Sequence, residues 1–95
     1  MSRIKICGLR RPEDIAAVNE ARPDYCGFIV EYPKSRRSID RATLRELVQG
    51  LREEIVPVGV FVNAPKELVA DLLEEGTIQI AQLHMNLLYI RAMWK

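Results

Sequence analysis

Hydrophobic and polar positions along the chain fall into two alternating periods. From Arg3 to Cys7 the run RIKIC alternates in side-chain character and ends at Gly8, which predicts a short strand closed by a turn. YCGFIV, Tyr25 to Val30, is a continuous apolar run of the length of a buried strand. IVPVGVFV, Ile55 to Val62, is rich in β-branched residues and carries no charge, and IQIAQLH, Ile78 to His84, gives a fourth strand.

Between these runs the period changes to that of amphipathic helices. Pro12 followed by Glu13 and Asp14 suits a first helical turn, and the helix should reach about Ala21. Asp40 offers an N-cap oxygen, after which Leu44, Leu47, Val48 and Leu51 recur at helical spacing through about Arg52. Pro65 to Glu74 places Leu68, Val69, Leu72 and Leu73 on one stripe, with Asn63 as the capping residue and Gly76 as the stop. Glu31 to Ile39, EYPKSRRSI, is a basic, proline-containing loop at the C-terminal end of the second strand. The last segment, MNLLYIRAMWK, predicts a short fourth helix with Asn86 near its start. The order βαβαβαβ(α) with short connections predicts an α/β fold with a four-stranded parallel sheet.

Composition narrows the class. The 95 residues are 48% hydrophobic and 28% charged, as in one globular domain spanning residues 1–95. So small a unit buries a modest share of its surface, which makes self-association plausible. Fourteen basic against thirteen acidic side chains give a formal charge of +1, which offers no electrostatic case for nucleic acid or an anionic membrane. MSRIKICG lacks a long apolar secretory core, so the cytoplasm is the expected compartment. Cys7 and Cys26 form no CxxC pair, so neither a disulfide nor a zinc site is expected, and no metal or cofactor is called for.

Four motifs then occur in order: KICGLRRPED, GFIVEYPKSRRSI, VPVGVFVN and IAQLH. Together they resemble the opening of the phosphoribosylanthranilate isomerases, and YIRA, Tyr89 to Ala92, resembles that family's fourth helix. The resemblance implies a (βα)8 barrel, a fold of typically about 250 residues and seldom below about 200. A chain of 95 residues cannot hold eight units, so the expectation is a truncated N-terminal half-barrel, a partial TIM barrel. Where the family usually continues QLHG, the chain has His84-Met85-Asn86-Leu87, which suggests a deletion, a frameshift scar or an engineered terminus.

The resemblance also implies an activity, an aldose–ketose isomerisation of tryptophan biosynthesis. This Amadori rearrangement of N-(5-phosphoribosyl)anthranilate needs a general acid to open the ribose ring and a general base to take the C2 proton. The family's base is the cysteine of KICG, which carries over onto Cys7. Lys5 shares its face by alternation and would favour a thiolate. By residue chemistry alone, a cysteine in an apolar strand is more often a small buried hydrophobe. The family's substrate-contacting arginine aligns with Arg37, or alternatively Arg36, where a planar guanidinium can hold the anthranilate carboxylate. His84 resembles the histidine of QLHG, which implies that it lines the pocket or hydrogen-bonds a neighbour, although a lone histidine at a strand end is more often structural than catalytic. Gln82 joins Lys5 and Cys7 on a polar inner surface.

In the family the general acid is an aspartate beyond the fourth strand, and the phosphate cradle comes later still. The 95 residues alone are therefore expected to be catalytically silent. Half a barrel should leave the inner sheet face open, with Ile6 and Ile29 among the uncovered residues and the first and fourth strands as unpaired edges. The expected consequence is homo-oligomerisation, or folding of the apolar tail Leu87 to Trp94 across the gap. Three readings stand at this point: a silent half-barrel, an isomerase active only when complemented by a C-terminal half, and a small flavodoxin-like binding module.

Overall fold

The computed structural model describes the backbone of residues 3–85 and 88–93 and the side chains of residues 3–83. Its elements are β1 (Lys5–Cys7), α1 (Pro12–Ala21), β2 (Tyr25–Val30), β3 (Ser38–Ile39), α2 (Arg41–Gln49), β4 (Val56–Val62), α3 (Lys66–Glu74), β5 (Ile80–Met85) and β6 (Leu88–Met93).

Local chemistry sets the helix ends. Pro12 opens α1, and the Asp14 carboxylate accepts from the backbone N–H groups of Arg10 and Arg11, both at 3.1 Å. Left-handed Arg22 closes the helix by donating its N–H to the Val18 carbonyl at 2.9 Å. Asp40 caps α2 as expected, its Oδ1 accepting from the Thr43 N–H at 2.8 Å. That helix stops at Gln49, short of Arg52, because the Asn19 side chain takes over its end. Asn19 donates to the Gly50 carbonyl at 2.8 Å and accepts from the Arg52 N–H at 2.9 Å. Asn63 does not cap α3. It adopts a left-handed φ of 49°, and Pro65 starts the helix from an extended N-cap, which leaves Asn63 too far upstream.

The sheet runs β1-β2-β4-β5-β6, with β3 pairing on β2. Strands β1, β2, β4 and β5 are parallel, and each new βα unit adds its strand on the same side of the last. A flavodoxin-like sheet would place β1 in the interior, at the point where strand order reverses, whereas here β1 is terminal. The helices share one face. Ile15 and Val18 of α1, Leu44 and Leu47 of α2, and Leu68, Leu72 and Leu73 of α3 enter one core with Cys26, Phe28, Val30, Phe61 and Ala81. One-sided cover and monotonic strand order are the start of a barrel.

Four expectations about the strands fail in detail. Leu88–Met93 is not a helix but a strand antiparallel to β5, with Gln82 opposite Arg91 and Ile80 opposite Met93. Only two residues separate Met85 from Leu88, too few for the crossover that a parallel strand requires and enough for a hairpin. The fourth predicted strand is therefore no longer an edge, since β6 satisfies its backbone groups. Ser38–Ile39, read as loop, pairs with Ile29 and Val30. Ile6 packs on the helix-side core, because Lys5 and Cys7 on either side of it face the other way. The part of the tail expectation that concerns Leu87 and Trp94 lies outside the described residues.

The inner face is half covered rather than open. Tyr25, Ile29, Val56, Val60 and Val62 are partly buried, and at its centre Val58 and Ile80 are 2% and 4% exposed. Among the described residues no helix is long and apolar enough to cross a membrane.

Candidate active site

Cys7 is the last residue of β1, and the chain turns away immediately behind it. Gly8 takes a φ of 83°, and both Gly8 and Leu9 donate their N–H groups to the Gly27 carbonyl, at 2.9 and 3.3 Å. The turn leaves the Cys7 thiol exposed at the C-terminal rim of the sheet.

Register places the rest of the inner surface. Lys5 pairs with Tyr25 and Cys7 with Gly27, so both side chains stand on the face away from the helices. Gln82 pairs with Val60 on β5 and stands on the same face. The Lys5 ammonium donates to the Gln82 amide oxygen across two intervening strands. In a flat sheet β1 and β5 would lie about 14 Å apart. Their side chains meet because the sheet curls toward this face, as a barrel wall does.

Arg37 reaches the rim from the β2–α2 loop. A Cβ built on Gly8 would lie 2.7 Å from the Arg37 Cδ and 3.2 Å from Nη1, so the guanidinium stem lies against the backbone beside Cys7. The loop is held at several points. The Tyr32 N–H donates to Ser38 Oγ at 2.7 Å, the Arg37 N–H to Ser35 Oγ at 3.2 Å, and the Glu31 N–H to the Ile39 carbonyl at 2.8 Å. Strand β3 draws Ser38 and Ile39 onto β2 next to the end of β1, which is what delivers Arg37. Arg36 contributes a carbonyl that accepts from Arg10 at 3.4 Å, and the side chains of Lys34 and Arg36 are solvated. A groove of ≈ 320 Å³ runs between the β1 edge and α1, with Cys7, Leu9, Val18 and Arg37 among its walls.

Of the predicted site residues, Cys7 and Lys5 thus share the inner face over Gly27, and Arg37 lies against Gly8 next to Cys7. The backbone of His84 pairs with Val62 of β4, and its side chain lies outside the described residues. Cys26 is fully buried on the opposite face, and burial, followed by the neighbouring Cys7 thiol, pushes its pKa up to about 12. At the entry to α2, Glu31 is held below the usual carboxylate range by the Arg41 guanidinium, 3.0 Å away. No described inner-face residue is a carboxylate, and no described group of three or more His, Cys, Asp or Glu is arranged to hold a metal.

Sequence reasoning placed a turn at Gly8 but missed that Gly8 makes room for Arg37, and it missed Gly27, which makes room for Cys7 and Lys5. A glycine inside the otherwise apolar YCGFIV was a legible sign of a close approach, though not of what approaches.

A curled, one-sided series of parallel βα units, with a thiol and an ammonium on its inner face and a guanidinium stem beside the end of β1, is the first part of a βα-barrel. A family model described as "N-(5'phosphoribosyl)anthranilate (PRA) isomerase" matches residues 4–93, and the chain belongs to that family. It is 44% identical over 84 residues to the N-(5'-phosphoribosyl)anthranilate isomerase of Acetivibrio thermocellus, covering 88% of this chain and 38% of that protein. The phosphoribosyl anthranilate isomerase of Thermotoga maritima superposes with a TM-score of 0.80 at 37% identity, over 90% of this chain and 42% of the other. A phosphoribosyl anthranilate isomerase solved with reduced 1-(O-carboxyphenylamino)-1-deoxyribulose 5-phosphate gives the same score and identity, over 90% and 44%. The chain spans about two-fifths of the length of these relatives.

Proposed function

We propose that these residues form the base-bearing part of a phosphoribosylanthranilate isomerase site working in the cytoplasm, with Cys7 as general base. In the Amadori rearrangement a general acid protonates the ribose ring oxygen as the C1–O bond breaks, and a base then takes the C2 proton. Cys7 is suited to the second task, being an exposed thiol at the strand end beside a cationic Lys5. Arg37 orients the substrate carboxylate with its planar fork, and Lys5 and His84 line the pocket. The carboxyphenyl group of the molecule held by one solved relative supports a role for a guanidinium at this rim.

The observation that carries this reading is that the Cys7 thiol and the Lys5 stem lie together over Gly27, while the Arg37 stem, from a loop some thirty positions later, lies against Gly8, the residue after Cys7. By the family resemblance, the acid and the phosphate cradle come from beyond residue 95. The 95 residues by themselves are therefore silent, and they associate through the partly covered inner face and the β1 edge.

The test is an isomerase assay on the 95-residue chain alone and mixed with the C-terminal half of a relative. Activity is expected only in the mixture, and Cys7→Ala should reduce it there by about 10²–10⁴-fold. Turnover by the chain alone, or a mixture indifferent to Cys7→Ala, would overturn the reading. Solution mass at two concentrations tests the association, which a monomer at both would refute.

A further inference from the structure

We propose that Gly27 is a positioning residue for the reaction, its missing side chain being the floor on which the Cys7 thiol and the Lys5 stem rest. The inference builds on the role proposed for Cys7.

Glycine is unexpected at this position. β2 is a central strand, paired to β1 on one side and β4 on the other, and an interior glycine weakens a strand by having nothing to pack. The usual excuse is a backbone that other residues cannot adopt, but Gly27 is not among the residues with positive φ, unlike Gly8 and Gly76. Its backbone would accept any side chain, so the requirement must come from space.

The space is taken by the two groups of interest. A Cβ on Gly27 would lie 2.5 Å from the Cys7 Sγ and 3.1 Å from the Lys5 Cε, while the Cys7 Cα, at 3.5 Å, is an ordinary neighbour. Alanine would therefore drive the sulfur off its seat and press on the lysine stem, with no clash against backbone. The Lys5 stem lies over Gly27 on its way to Gln82, so the glycine also keeps open the path of the bridge that fixes the ammonium. One absent methyl group thus sets where the base sits and where its cation is held.

The experiment compares Gly27→Ala, Cys7→Ala and the double variant in the 95-residue chain. Gly27→Ala should lower the urea midpoint and change the rate of Cys7 alkylation by about threefold or more. In the Cys7→Ala background the same alanine should cost the midpoint little, since the sulfur it displaces is gone. If Gly27→Ala does not fold, the double variant should. A Gly27→Ala chain with unchanged midpoint and unchanged alkylation would overturn the proposal, as would a loss that persists without the thiol, or a double variant that also fails to fold.

These readouts do not depend on turnover, so they decide the placement of the thiol even if complementation yields no isomerase. In a complemented enzyme Gly27→Ala should lower kcat about a hundredfold with a much smaller change in KM, as expected when the reacting group is displaced and binding is not. A fall confined to KM would instead make Gly27 a binding-surface residue and refute the positioning role.

Discussion

On the helix-facing side of the sheet Cys26 and Gly59 serve packing. Cys26 is sealed in the core, and a Cβ on Gly59 would strike Phe61 and Ile78 at 2.8 and 2.9 Å. On the opposite side stand the same two residue types, Cys7 and Gly27, for which we propose chemistry instead, the thiol exposed at the end of β1 and the glycine beneath it. The two cysteines are one register step apart on neighbouring strands, since Cys26 pairs with Ile6 and Gly27 with Cys7. A single residue of alternation separates an inert thiol from an available one.

Thiol labelling should separate the two faces most widely. With its pKa raised to about 12, Cys26 has roughly a thousandfold less thiolate at neutral pH than a free cysteine, and it is also sealed from reagent. In the native chain one thiol should react at once, and the second only as fast as the protein unfolds. Two equally fast thiols, with the fold intact by circular dichroism, would break the comparison.

A second contrast uses neighbours on one strand. Phe28 is fully buried on the helix side, and truncation to alanine should cost about 3–5 kcal/mol, a large share of the stability of so small a domain. Ile29 points the other way and is half-buried, so Ile29→Ala should cost roughly 1 kcal/mol. Urea unfolding measures both. An Ile29→Ala penalty as large as that of Phe28→Ala, rising with protein concentration, would show that a second copy covers the inner face in solution.

How far each of these features was legible depends on whether it is local. Tyr25–Val30 was readable to the residue, because a continuous apolar run is bounded by Pro23-Asp24 on one side and Glu31 on the other. Alternation puts Lys5 and Cys7 on one face, with Gln82 on the matching face of β5, and it puts Ile6, which lies between Lys5 and Cys7, on the other, against the expectation that Ile6 faces inward. Strand β6 was illegible because MNLLYIRAMWK satisfies neither period cleanly, and its pairing depends on an edge that exists only once β5 is in place. Two-residue β3 is too short to have a pattern, although it delivers Arg37. The contact of Gly27 with Cys7 follows from the register of β1 on β2, which only the assembled sheet supplies.

The smallest expected effect concerns charge, and it sharpens the division from the outside. Carboxylates with depressed pKa values, such as Asp14 and Glu31, sit at helix entries and loops rather than on the inner face. Asp14 is held below its ordinary 3.8 chiefly by the Arg10 backbone N–H, with further help from Arg11. A folded-state value below the unfolded one means that its contribution is present above about pH 3.8 and is lost as the pH falls through the lower folded value. Asparagine at this position keeps an oxygen for the same N–H groups and removes only the charge. Asp14→Asn should therefore lower the urea midpoint at pH 7 by the equivalent of a few tenths of a kcal/mol, roughly the value of a solvated charge at a helix start. At pH 3 the gap between variant and parent should shrink. The rate of Cys7 labelling at neutral pH should not change, because the carboxylate acts on the entry to α1 and not on the thiol. A gap that is constant from pH 7 to pH 3 would assign the effect to the hydrogen bonds alone. A change in Cys7 labelling would mean that the rim and the helix entry are coupled along the groove they share.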